Sequence, residues 1–145
     1  LWNEVAHAVS VGAEINHDIT DVVFEDNDII HDKGREWSMR VYHCDNALVS
    51  EVVFRNIRIE ESRNLISLWI NEAVWSHSDE RGHINGVTFE NIQAERVANP
   101  AIQFLGYDCG HLVENVTLSD VFVNGTKVTG SSVMTNEFVK NVTVK

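Results

Sequence analysis

Three outward-facing pairs recur down this sequence in the form residue–apolar–residue: Arg40-Val41-Tyr42, Ser67-Leu68-Trp69 and Gln103-Phe104-Leu105, with Ser10-Val11-Gly12 as a shorter first copy. If the middle residue of each points into a core, alternation sends its two neighbours out on the opposite face. Two adjacent columns result, one of Ser10, Arg40, Ser67 and Gln103, the other of Gly12, Tyr42, Trp69 and Leu105. Aromatic faces stack on pyranose rings, and planar guanidinium or amide donors hold hydroxyls or a carboxylate. Arg40, Tyr42, Trp69 and Gln103 are therefore candidate substrate-binding residues, with a polysaccharide or oligosaccharide as the partner. The same pattern also fits Tyr42 and Trp69 covering the sheet beneath a neighbouring loop.

The segments after each pair add titratable groups. HCDNALV (43–49), NEAVWSHSDERGHI (71–84) and GYDCGHLV (106–113) all follow equivalent strands and should gather along one edge. The middle segment is the longest and carries Glu72, Trp75, His77, Asp79, Glu80, Arg81 and His83. Long loops on a rigid scaffold commonly hold function, and Glu72 is the candidate catalytic carboxylate. A solvated charged turn is the other reading of SHSDERG. Glu72, Asp108 and Asp45 also occupy related positions on successive repeats, and inverting carboxyl pairs lie about 6.5–9.5 Å apart. The seven histidines show neither HExxH nor paired CxxC spacing. No metal and no cofactor is expected.

The elements that must position these residues are set by a repeat. DVVFEDNDII (21–30), EVVFRNIRIE (51–60), GVTFENIQAE (86–95) and NVTLSDVFVN (115–124) share one template, and NVTVK (141–145) begins a fifth copy. Val22 with Phe24, Val52 with Phe54, Val87 with Phe89, and Val116 with Leu118 alternate at period two, the mark of a strand with one buried face. A strand precedes each copy at AVSVG (8–12), SMRVY (38–42), LISLW (65–69) and AIQFL (101–105), and a third short strand follows the Asn/Asp bend. This rhythm predicts an all-β right-handed parallel β-helix, a solenoid of about four to five coils of roughly 30 residues, with three short strands per coil. Asp26, Asn56, Asn91 and Asp120 share one template position and should stack at a bend, where such side chains bond the backbone. Val41 and Phe104 then stand two coils apart, about 9–10 Å at the usual strand spacing. Cys44 and Cys109 follow those residues and should remain free thiols, since a disulfide needs Cα atoms within about 7 Å.

The 145 residues, 43% hydrophobic and 23% charged, are read as a single domain over 1–145. No apolar run approaches the roughly 18 residues that cross a bilayer, so no membrane partner is expected. The formal charge of −11, from 22 acidic against 11 basic residues, argues against nucleic acid. Leu1-Trp2-Asn3-Glu4 has neither the basic head nor the apolar stretch of a signal peptide, and Met is absent from position 1. The chain therefore reads as a mature domain or a fragment of a longer β-helix. Solenoid ends expose strand edges, so self-association through exposed helix ends is expected if nothing else covers them.

At HAVSVG (7–12) and SMRVY (38–42) the chain resembles the family 28 glycoside hydrolases, the polygalacturonase group of pectin-degrading β-helices. Ala6-His7-Ala8 is similar to that family's Gly-His-Gly, with alanine at both glycines. Arg40-Val41-Tyr42 is similar to its Arg-Ile-Lys, with tyrosine at the lysine. ERGHINGVTFENI and FVKNVTVK are similar more generally to the pectin-lyase-like superfamily. The resemblance implies the C-terminal part of a carbohydrate-active, polysaccharide-degrading hydrolase that inverts with two acids, secreted or at a cell surface. In that family the Asp-Asp pair lies about one coil before the histidine, here upstream of residue 1, so this chain alone is expected to be inactive. The resemblance implies that His7 orients or tunes the acids and that Arg40 binds substrate. Loss of the lysine, with the net charge of −11, leans toward a glycan other than pectate. A non-catalytic carbohydrate-binding β-helix and a structural assembly module are the alternatives. Strict alternation back from Val9 points His7 into the core; only a bend at Ala8 turns it out.

Overall fold

The computed structural model describes all 145 residues. Alternating Val, Ile and Phe cannot bury one face alone, and the chain solves this with strands joined by irregular connections, without an α-helix. They are β1 (Trp2–Asn3), β2 (Val9–Ala13), β3 (Val22–Glu25), β4 (Asp28–Ile29), β5 (His31–Asp32), β6 (Met39–His43), β7 (Leu48–Ile70), β8 (His83–Leu105), β9 (Val113–Val123), β10 (Thr126–Lys127), β11 (Val133–Thr135) and β12 (Val139–Val144). A single 3-10 turn, Gly130–Ser132, precedes β11. The protein is all-β, with its 12 strands in one mixed sheet.

The template copies pair in register. Val22 meets Val52, Val52 meets Val87, Val87 meets Val116 and Val116 meets Val142, every contact parallel. The preceding strands do the same, with Val11 on Val41, Val41 on Leu68 and Leu68 on Phe104. The one antiparallel strand pair is β9 with β10, joined through Gly125 at φ +78°. Side chains at equivalent positions therefore stack. Phe24, Phe54 and Phe89 form a column with ring centroids 5.0 Å apart at each step, and Phe104 follows at 6.4 Å. Around them lies one apolar core that takes in Val9, Val11, Met39, Val41, Ile66, Leu68 and Ile102. Both cysteines are free, Cys44 buried and Cys109 exposed.

The expected bends are present, but only the first, at Asp26, ends a strand. LISLW and EVVFRNIRIE belong to one pairing run of 23 residues, β7, and AIQFL and GVTFENIQAE to another, β8. At Asn56, Asn91 and Asp120 a single left-handed residue turns the chain while its neighbours stay paired. Asp26, Asn56, Asn91 and Asp120 sit at φ +55°, +54°, +51° and +53°, a region Asn and Asp tolerate best after glycine. Their side chains connect the repeats: Asn56 donates to Asp26 at 3.1 Å, and Asn91 to Asn56 at 3.0 Å. A second column, not anticipated from the template, stands before the strand. Asp21, Glu51, Gly86, Asn115 and Asn141 all have positive φ, and Asn141 donates to Asn115 at 3.0 Å.

Candidate functional site

Arg40 and Tyr42 lie on β6 and Trp69 near the end of β7, and parallel pairing sets Tyr42 directly beside Trp69. Their rings stack with centroids 5.3 Å apart and planes at 29°. The Arg40 guanidinium lies over the Tyr42 ring, 5.1 Å from its centroid, as a cation–π pair requires. Gly12 lets the β2 backbone lie close against β6 beside this pair: a Cβ there would stand 1.7 Å from the Tyr42 carbonyl oxygen. Tyr42 is buried, while Trp69 is only half-buried.

These residues line an open cleft of about 590 Å³, whose walls also include His7, Glu36, Asn71, Glu72, Val74 and Trp75. His7, Arg40, Tyr42, Trp69 and Glu72 thus converge on one surface feature from three separate segments. Gln103 does not: it lies off the cleft, with its amide 3.5 Å from the Ser67 hydroxyl. His7 reaches the cleft because the chain bends at Ala8, which breaks the alternation running back from Val9. Its Nδ1 is buried with no hydrogen-bond partner. Burial, and then the positive charge of Arg40, hold the imidazole below its ordinary pKa.

Arg40 is largely enclosed, with 11% of its side chain exposed. Its Nη1 donates to Glu36 Oε2 at 2.9 Å and its Nε to Ser10 Oγ at 3.3 Å. Burial lowers the guanidinium pKa, and Glu36 opposes the shift. Burial also raises the Tyr42 phenol above its usual value. Glu72 is exposed and accepts the Tyr107 hydroxyl at 3.4 Å. Asp45 and Asp108 do not join it as acid partners at the cleft. Asp45 is buried and accepts the backbone N–H groups of His77 and Ser78, at 2.6 and 2.9 Å. Asp108 accepts from Gly110 N–H and pairs with His111 at 2.7 Å; the Gly110 bond first, then His111, depresses its pKa.

The 71–84 segment is not a freely solvated turn. Arg81 is buried and donates to the carbonyls of Cys44 and Ser78 and to the Ser76 hydroxyl. Ala73 N–H donates to Ser76 Oγ at 3.1 Å and Ser76 N–H to the Ala73 carbonyl at 2.9 Å, closing a turn with Val74 and Trp75 at its tip. Glu36 is the contributor that no pattern in the sequence singles out. It sits in the irregular stretch before β6, where no alternation assigns it a face. No three His, Cys, Asp or Glu side chains converge at metal-binding distance. No protein-family model, curated protein or solved structure matches the chain.

Proposed function

We propose that this chain is a stretch of right-handed parallel β-helix whose lateral cleft grips a polysaccharide, as part of a carbohydrate-active, glycoside hydrolase-like protein. The β-helix reading is supported by parallel pairing between template copies about one repeat apart, from Val22 through Val142. The glycan reading rests on one observation: an arginine and three aromatic side chains, Tyr42, Trp69 and Trp75, line a single open cleft with Glu72 at its wall. Sugar rings offer apolar C–H faces and hydroxyl edges, and such a surface meets both.

Binding, rather than hydrolysis, is what these residues supply. Inverting hydrolysis needs an acid and a base. Glu36 is engaged by Arg40, which leaves Glu72 as the carboxylate on the lining without a cation partner. His7 would position a catalytic group from elsewhere in the parent protein. The test is a glycan-array screen of the folded protein beside Trp69→Ala and Arg40→Ala, with reducing-sugar release measured in parallel. Binding weakened about tenfold or more in Trp69→Ala supports the reading. An absence of binding to any glycan rejects it. Reducing-sugar release would show that the chain carries its own acid pair.

A further inference from the structure

The enclosed cation of the cleft is already engaged. Arg40, the enclosed cation, gives Nη1 to Glu36 and Nε to Ser10, and its face lies against Tyr42. Arg35, the other cation on the lining, is 82% exposed with its Nε 3.6 Å from Glu36, so what it offers a ligand is a hydrated, screened charge. Glu36 and Glu72 balance these two arginines, so the lining is neutral within a chain of net charge −11. A uronate carboxylate that sought the enclosed Arg40 would have to displace Glu36 while approaching Glu72. Stripping water from that carboxylate without an unpaired enclosed cation to receive it is costly.

The apolar surface, in contrast, is open. Trp75 is 50% exposed and Val74 97% exposed. Side by side at the tip of a fastened turn, the two are placed to meet an apolar face. Asp45 and Arg81 fasten that turn to the β6–β7 connection, so little ordering is left to binding. Stacking on Trp75 asks for a C–H face and no charge.

Resting on the reading of the cleft as a glycan site, we propose that it selects uncharged glycans and rejects uronates. Glu36 sets that choice by occupying Arg40, and Trp75 is the stacking platform that holds the neutral chain. Glu36 would thus be a specificity residue that acts through Arg40 without touching the sugar.

Affinity electrophoresis tests this with soluble galactan, mannan and β-glucan as neutral probes and polygalacturonate as the charged one. The expected result is retardation of the wild-type protein by at least one neutral probe and none by polygalacturonate. Trp75→Ala should weaken neutral binding about tenfold. Glu36→Gln, checked for an unchanged circular dichroism spectrum, should gain retardation by polygalacturonate while keeping the neutral interaction. Wild-type binding to polygalacturonate as tight as to the neutral probes would overturn the inference and leave the glycan-site reading standing. Retardation by no probe would remove both. A folded Glu36→Gln variant that still ignores polygalacturonate would strip Glu36 of its role. The wild-type comparison decides the selectivity even if that variant does not fold.

Discussion

His43 shows how a single side chain couples burial to solution conditions. It is fully buried on β6, with Nε2 against the Ala47 carbonyl, and burial holds its pKa below the ordinary histidine value. His7 is shifted in the same direction, also chiefly by burial. In the unfolded chain both titrate near pH 6.5. As pH falls through that value the unfolded state takes up protons that the folded state still refuses, and stability declines. The decline stops once pH is below the lowered folded values, where both states are protonated. Urea unfolding from about pH 7.5 to about pH 5.5 should therefore show falling midpoints, with a shallower fall in His43→Gln. A pH-independent midpoint across that window would contradict the buried neutral state. Asp28, Glu61 and Asp108, whose pKa values are lowered by their partners, add their losses only at more acid pH, near and below the ordinary carboxylate range.

Among the elements, the 71–84 connection depends on what it is fastened to. Asp45 receives two backbone N–H bonds from it, and Gly82 passes so close that a Cβ would stand 1.8 Å from the Ala47 carbonyl oxygen. Asp45→Ala would leave two amides unpaired in a largely enclosed site, at a cost of about 2–4 kcal/mol. Amide hydrogen exchange at His77 and Ser78 should accelerate in that variant, while exchange in the centre of β8 responds only to the global loss. Unchanged protection at His77 and Ser78 would mean that other bonds hold the turn. The expected consequence at the cleft is a mobile Trp75 and weaker glycan binding, since ordering the turn would then oppose association.

Across the whole molecule, stability is distributed along the stack. Each strand packs on its equivalents, and Phe54 stands between Phe24 and Phe89 with no solvent exposure. Phe54→Ala would open a cavity that side chains above and below cannot fill without losing register, at about 3–5 kcal/mol. Phe122, on the outward side of β9, is only half-buried, and Phe122→Ala should cost clearly less. Chemical denaturation of the two variants checks this ordering. Equal losses would show that the column does not dominate the core.

Much of this scheme is legible in the order of residues alone, because it is local. Val-x-Phe alternation assigns one face to the core whichever strand it meets, and the recurrence of the template names the partner, so the register from Val22 to Val142 follows. The corner column of Asp26, Asn56, Asn91 and Asp120 is equally readable, since a left-handed residue favours those side chains in any fold. The cleft is different. His7 faces it because of one bend at Ala8, Gln103 misses it despite sharing a column with Arg40, and Glu36 controls Arg40 from an irregular stretch. Arg81 and Asp45, a solvated charge and a candidate acid by residue type, are the fastenings of a turn. Periodicity records what each residue does relative to its own strand. Which side chains line one cleft, and which aromatic faces stay open, depends on residues about thirty apart meeting in space, as Tyr42 and Trp69 do, and only the folded chain brings them together.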